Sequence, residues 1–291
     1  MLGAIIGDVV GSTYEFHNTK DYNFKLFPEG SKYTDDTILS LAVANTLMNS
    51  RDNYAEGYEA FESELVRLGK MFPNPKGGYG GGFLHWLFYP EFLQSYDSKE
   101  YPKSPTGRHP YASNGNGAAM RVSSVGWFYN GMSADKMTCR VSSFSAEVTH
   151  NSEEAMLGAQ AVARAIYYAR IGKTKEEIKT LISSYGYDLS KSWEYWRKIY
   201  KWDSSCAGTV PQAIICFLDS TSFEDAIRKA VSMGGDSDTI ACITGGIAEA
   251  YYKEIPSFMA HKAMETLPDV LKGILKKFQD TVGYWDIVKL V

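Results

Sequence analysis

Two acidic segments near opposite ends of a 291-residue chain carry the residue types best suited to chemistry. Thr34-Asp35-Asp36-Thr37-Ile38 and Asp236-Ser237-Asp238-Thr239-Ile240 align as D-D-T-I over S-D-T-I, and each leads into an apolar run of helical character. Carboxylate and hydroxyl oxygens are hard ligands that suit Mg2+, Mn2+ or Ca2+. Helix capping would account for one Asp or Thr per helix, worth about 0.3–1 kcal/mol at an N-terminus. It leaves unexplained the adjacent pair Asp35-Asp36, and Asp236-x-Asp238-Thr239 after a Gly234-Gly235 pair that frees the backbone. Spacing excludes an EF-hand. Counting Asp236 as the first position puts Ala241 sixth and Ile247 twelfth, where that loop needs Gly and Glu. A shared or binuclear divalent site is the expectation.

Two glycine segments offer backbone N–H groups that could cradle phosphates: Gly77-Gly78-Tyr79-Gly80-Gly81-Gly82 and Asn114-Gly115-Asn116-Gly117. Neither is a P-loop, because no Lys-Ser or Lys-Thr follows at the required offset. Neither is a dinucleotide fingerprint, since Met120 stands where a third Gly would be needed. Taken singly, each reads equally well as a flexible turn. Arg121 is expected to pair with an internal acid, and His85 and His109 to be structural or solvated. Trp193, Trp196 and Tyr200 form an aromatic stripe read as core or helix contact, with a rim for a modified partner as the sharper alternative.

The elements that must position these groups are helical. Periodicity and caps predict helices over 37–49, 153–170, 174–183, 222–232, 239–253, 257–266 and 269–280, the second rich in small residues and therefore internal. No stretch shows sustained strand alternation. An all-α single domain over residues 1–291 follows, with long loops at 71–82 and 95–117 of the kind that carry function. Apolar residues at 44% and charged residues at 22% allow an ample core. A net charge of −4 with scattered lysines such as Lys173, Lys175 and Lys179 argues against a broad nucleic-acid surface. Cys139, Cys206, Cys216 and Cys242 lack metal or redox spacing and read as reduced, buried thiols. Asp8 interrupts the N-terminal apolar run, which also lacks a basic flank, so it is not read as a signal peptide. No apolar run approaches the ~20 residues that span a bilayer. A cytoplasmic protein, without membrane contact, is expected.

In order along the chain, Gly3-Ala4-Ile5-Ile6-Gly7-Asp8, Gly11-Ser12-Thr13-Tyr14-Glu15, Tyr33-Thr34-Asp35-Asp36-Thr37, Gly78-Tyr79-Gly80, Asn114 to Arg121, Thr149-His150 and Gly234 to Thr239 resemble the ADP-ribosylglycohydrolases. The joint presence of T-D-D and G-G-D-x-D-T is specific; the glycine segments only support it. The resemblance implies a compact orthogonal helical bundle with two divalent cations, Mg2+ or Mn2+, in a cleft. It implies metal ligation by Thr34, Asp35, Asp36, Asp236, Asp238 and Thr239, with one carboxylate bridging. Glu15 would be a mobile carboxylate, and Asp35 or Glu15 the general acid or base. Gly78, Tyr79, Gly80, Ser113, Asn114, Gly115, Asn116 and His150 would hold the diphosphate and ribose of ADP-ribose.

Some relatives carry an aromatic at the position of Asn114, against the adenine; Asn114 cannot stack. Tyr79, Tyr111, Trp127 and Phe128 are candidates for that role, with core packing the default for each. The implied activity is release of ADP-ribose from an acceptor, a protein first of all, by a monomeric enzyme. An ADP-ribose-binding protein without catalysis and a metallo-phosphoesterase are the alternatives. Arginine, serine, a nucleic-acid base and a small metabolite all stay open as acceptors.

Overall fold

A computed structural model describes residues 1–50, 57–90 and 107–291, so the 95–106 part of the expected 95–117 loop lies outside the described residues. Fourteen helices carry the described chain, and the architecture is all-α as expected. They are α1 (Leu2–Gly11), α2 (Asp35–Asn49), α3 (Gly57–Met71), α4 (Gly81–Phe88), α5 (Ser123–Phe128), α6 (Ala134–Glu147) and α7 (Glu153–Arg170). There follow α8 (Lys175–Ser183), α9 (Trp193–Ile199), α10 (Cys206–Leu218), α11 (Phe223–Met233), α12 (Ser237–Tyr252), α13 (Ser257–Thr266) and α14 (Asp269–Val282). Two-residue strands, β1 (Glu254–Ile255) and β2 (Lys289–Leu290), pair in parallel.

The helix starts are chemically marked. Thr34 Oγ1 accepts from the Asp36 N–H at 3.2 Å, and Ser152 Oγ from Ala155 at 3.2 Å. Thr174 and Glu177 close a capping box on α8, and Ser222 caps α11. Each such cap is worth roughly 1 kcal/mol. The expected helix over 239–253 begins two residues earlier, at Ser237, which puts Asp238 inside its first turn.

α1 and α12 form the centre. Every residue of α1 is buried, and α12 is buried from Ser237 to Ala250, with α7, α10 and α11 packed around it. Gly3, Gly7 and Gly11 recur every four residues, so they share one face of α1. A Cβ on Gly7 would land on the backbone of Ala241, one on Gly3 on the carbonyl of Gly245, and one on Gly11 on Asp238. The two backbones therefore touch directly. Glu249 of α12, fully buried, accepts from the N–H groups of Leu2 (3.0 Å) and Gly3 (2.9 Å) and from the Tyr284 hydroxyl, so it caps the start of α1.

α7 buries its small residues as expected: Gly158 faces Cys206, and Ala163 faces Gly126 of α5. Cys206, Cys216 and Cys242 are buried free thiols, whereas Cys139 is half-buried. Of the aromatic stripe, Trp193 is core, its indole donating to the Lys229 carbonyl at 2.8 Å.

Gly7→Ala is expected to destabilise the fold by about 2 kcal/mol or more, since the added carbon meets backbone that no rotamer change can relieve. Gly273→Ala, on the exposed face of α14 with nothing nearby, is expected to stabilise by about 0.5–1 kcal/mol. Urea midpoints of the two variants compare them directly; equal effects would refute the close helix approach.

Candidate active site

The two acidic segments meet. Thr239 Oγ1, on the first turn of α12, donates to Asp36 Oδ2 on the first turn of α2 at 3.1 Å, across 203 residues of sequence. Gly234 and Gly235 both adopt φ near +73°, a conformation that only glycine takes without strain, and this turn delivers Asp236 to the cap of α12. The Asn18 amide brackets Gly235, accepting from its N–H at 2.7 Å and donating to its carbonyl at 2.9 Å. The turn after α1, which carries Glu15, is thereby tied to the turn before α12. Gly77, at φ +79°, passes so close to Glu15 that a Cβ there would lie 2.7 Å from Oε2.

Behind this wall stands Asp8, fully buried on α1. It accepts from the Thr34 N–H (3.0 Å) and hydroxyl (2.7 Å) and from the Thr37 N–H (3.2 Å) and hydroxyl. Asp8 thus fastens the start of α2 to α1. Sequence reasoning gave it no place in the site, although an acid inside the apolar run Leu2 to Gly11 was the visible signal. Thr34 does not line the cleft; its hydroxyl is directed to Asp8 and to capping.

Glu15, Asp236 and Asp238 bring carboxylate oxygens within 4.8 Å of one another. At an effective dielectric near 20, charges that close repel by about 3 kcal/mol or more per pair. Among the described residues, no ion pair reaches any acid of this cluster. Asp36 Oδ1 and Glu15 Oε2 are buried with no hydrogen-bond partner among the described residues. Burial, then the charges of Asp236 and Asp8, push the Glu15 carboxyl up to about 7. Burial pushes Asp8 up to about 6, and burial with neighbouring carboxylates holds Asp35, Asp36 and Asp238 well above the usual range. Hard oxygen donors with orphaned lone pairs and, among the described residues, no ion-pair partner beyond the more distant charge of Lys76 fit a divalent cation.

The cluster lines a cleft of about 620 Å3. Asp35, Asp36, Asp236, Asp238, Thr239 and Glu15 all line it. So do Gly78, Tyr79 and Gly80, and Ser113, Gly115, Asn116 and His150. Asn116 Nδ2 donates to Asp236 Oδ2 at 2.7 Å, joining the 113–117 segment to the acids. Asn114 is exposed and outside the lining; its carbonyl accepts from the Cys206 N–H at 2.8 Å. Of the aromatic candidates, Tyr79 and Tyr111 line the cleft, whereas Trp127 and Phe128 are buried in α5 away from it.

His150 is buried, and burial together with the Arg121 charge lowers its pKa well below the usual imidazole value, so it is neutral. Its Nδ1 lies 2.7 Å from Thr149 Oγ1, while Nε2 faces Gly115 and Gly117, where an added Cβ would sit 3.2 Å away. Arg121 departs from expectation. It is fully buried and lines the cleft, its Nη2 donates to the Ser145 carbonyl and to Thr149 Oγ1 (2.9 Å), and among the described residues no acid pairs with it. Its Nε and Nη1 have no partner. Burial lowers its pKa to about 10, which leaves it charged at neutral pH. Sequence reasoning also missed Phe16 and Trp202, 64% and 48% exposed, whose rings stack at 5.7 Å on the cleft mouth. Exposed aromatics leave no periodic trace in a sequence.

A family model described as ADP-ribosylglycohydrolase matches residues 1–283. The chain is 27% identical to human ADP-ribosylhydrolase ARH3 over 314 residues, covering 87% of this chain and 84% of that protein. It is 24% identical to ADP-ribosylarginine hydrolase Tri1 of Pseudomonas putida over 283 residues, covering 87% of this chain and 69% of that protein. A solved structure described as an ADP-ribosylglycohydrolase-related protein complex superposes with a TM-score of 0.64 at 21% identity, covering 97% of each chain; that likeness is one of fold.

The raised carboxyl values carry a sign. Each folded-state pKa lies above its unfolded value, so the native state binds more protons, and stability falls as pH rises through about 6 and 7. With EDTA present, the melting temperature is expected to drop between pH 5.5 and 8, and millimolar Mg2+ or Mn2+ to flatten that slope. Parallel pH profiles with and without cation would count against the cluster as a cation site.

Proposed function

The chain belongs to the ADP-ribosylglycohydrolase family, and we propose that it is a divalent-cation-dependent hydrolase that cleaves the glycosidic bond between ADP-ribose and an acceptor. The observation that carries this reading is the convergence of Glu15, Asp36, Asp236, Asp238 and Thr239 in the lining of one cleft. The other walls offer neutral donors, glycine backbone and the Arg121 charge, which suit a diphosphate.

Asp35, Asp36, Asp236, Asp238 and Thr239 would hold two ions, Mg2+ or Mn2+. Bound there, the ions would supply Lewis acidity toward ribose hydroxyls and an activated water. The chain's own groups supply the rest. Glu15, titrating near 7 without cation, is able to hold or release a proton at neutral pH, as a general acid or base requires. Asp35 is the second carboxylate for that role. Carboxylates around the anomeric carbon stabilise the oxocarbenium-like charge that develops as the glycosidic bond breaks. His150 presents Nε2 to the cleft and, with Thr149 able to donate to Nδ1, carries its proton there for a phosphate or ribose oxygen.

The acceptor leaves at the acidic end, where Phe16 adjoins Glu15 and stacks on Trp202. An exposed aromatic pair there suits a modified side chain of a protein. The two named relatives, an ADP-ribosylhydrolase and an ADP-ribosylarginine hydrolase, support this substrate class. No described helix is long and apolar enough to cross a membrane. Four free cysteines suit a reducing, cytoplasmic setting.

Asp238→Ala and Asp35→Ala are each expected to lower kcat on an ADP-ribosylated protein by about 100-fold or more with the fold retained. The product to be measured is free ADP-ribose, by chromatography, against inorganic phosphate from the same reaction. Full turnover in EDTA, or phosphate release without ADP-ribose, would falsify the reading.

A further inference from the structure

Glu15 stands where its neighbours repel it. Its carboxylate lies within 4.8 Å of those of Asp236 and Asp238, and it sits on the turn that follows α1 rather than on a helix. Like charges that close push the turn away from the acids, so other contacts must hold it in. Some act through the backbone. The Asn18 amide donates to the carbonyls of Tyr14 and Glu15, each at 2.7 Å, while it brackets Gly235. Lys20 Nζ donates to the Tyr200 carbonyl at 3.1 Å and to that of Met233, and Arg197 Nη1 donates to the Lys20 carbonyl at 3.1 Å. The residue next to Glu15 is held through its side chain instead. The Phe16 ring stacks on Trp202, with 17° between the two planes.

Trp202 belongs to a braced segment. The Tyr200 ring packs against Gly235, where an added Cβ would lie 2.5 Å from it. Asp203 Oδ1 accepts from the Ser205 N–H (2.9 Å) and hydroxyl (2.7 Å), and the Ser204 carbonyl accepts from the Asn116 N–H at 2.8 Å. The Cys206 N–H, at the start of α10, donates to the Asn114 carbonyl. Residues 200–205 thus join the turn before α12 to the 113–117 segment, and Trp202 is carried between two fixed points. Both rings of the stack are too exposed to add much to the core. What the stack fixes is the position of residue 16, and with it Glu15.

We propose that Trp202, through its stack on Phe16, is a positioning residue that holds Glu15 against the acids of the cleft. The consequence for turnover rests on the hydrolase reading; the holding of the turn does not. A single exposed aromatic stack biases such a turn by about three- to tenfold, so the effect is graded. In the cation-loaded full chain, Trp202→Ala should lower kcat on an ADP-ribosylated protein by that factor, with ADP-ribose affinity, by calorimetry, within about twofold of wild type. Trp202→Phe, which keeps a ring for the stack, should recover most of the loss. Phe16→Ala should match Trp202→Ala, and the double variant should be no worse than either. In a Glu15→Gln background, Trp202→Ala should cost the residual turnover nothing further. A loss of the same size in that background overturns the proposal. So does a change confined to KM, which makes the pair an acceptor contact instead. Hydrogen exchange reads the turn without turnover: amides 13–17 should exchange faster in Trp202→Ala, and those of 36–42 and 238–244 should not. Unchanged exchange at 13–17 overturns the proposal as well. Faster exchange there, in a protein that turns over no substrate, leaves the stack's hold on the turn standing and removes the hydrolase reading.

Discussion

The direct contact between the backbones of α1 and α12 is the constraint on which the rest of the molecule depends. Gly3, Gly7 and Gly11 leave no side chain between the helices, and Gly11 brings the end of α1 onto Asp238 itself. Any Cβ in that seam would lift α12 away from α1. Asp8 lies on α1 between these glycines and holds the start of α2, so the seam also fixes where Asp36 meets Thr239. A single helix pair thus sets the distance between two segments far apart in sequence.

What the seam assembles is electrostatically unfavourable by itself. Buried carboxylates lie within a few ångströms, without an ion pair among the described residues, and their raised pKa values express that repulsion. The rest of the fold over-determines the arrangement: the Asn18 amide clasps Gly235, Asn116 holds Asp236, and Glu249 caps α1 at its far end. Strain concentrated at a site and offset by packing elsewhere is the usual signature of function.

The cleft is also polar in its own direction. Its acids invite cations, whereas the same lining includes a neutral imidazole and a buried guanidinium with N–H groups unpaired among the described residues. Thr149 couples the two inner groups, since it accepts from Arg121 and lies against His150 Nδ1.

Much of this was legible in the residues alone. The acidic pair, the all-α class, the helices α7, α8 and α11 with the Ser222 cap of the last, the internal small-residue face of α7 and the glycine turn before Asp236 follow from local rules: capping, 3.6-residue periodicity and the steric freedom of glycine. Partner choice does not. Arg121 was expected to find an acid and found a hydroxyl and a carbonyl, Thr34 turned its hydroxyl to Asp8, and Asn114 fell outside the cleft. Nor could sequence place Phe16 against Trp202. Which polar groups meet, and which are left unpaired, depends on the crossing of helices distant in the chain. That crossing is set by backbone contact at the glycine seam, so the sequence determined the chemical inventory and its elements, and the tertiary structure alone decided its pairing.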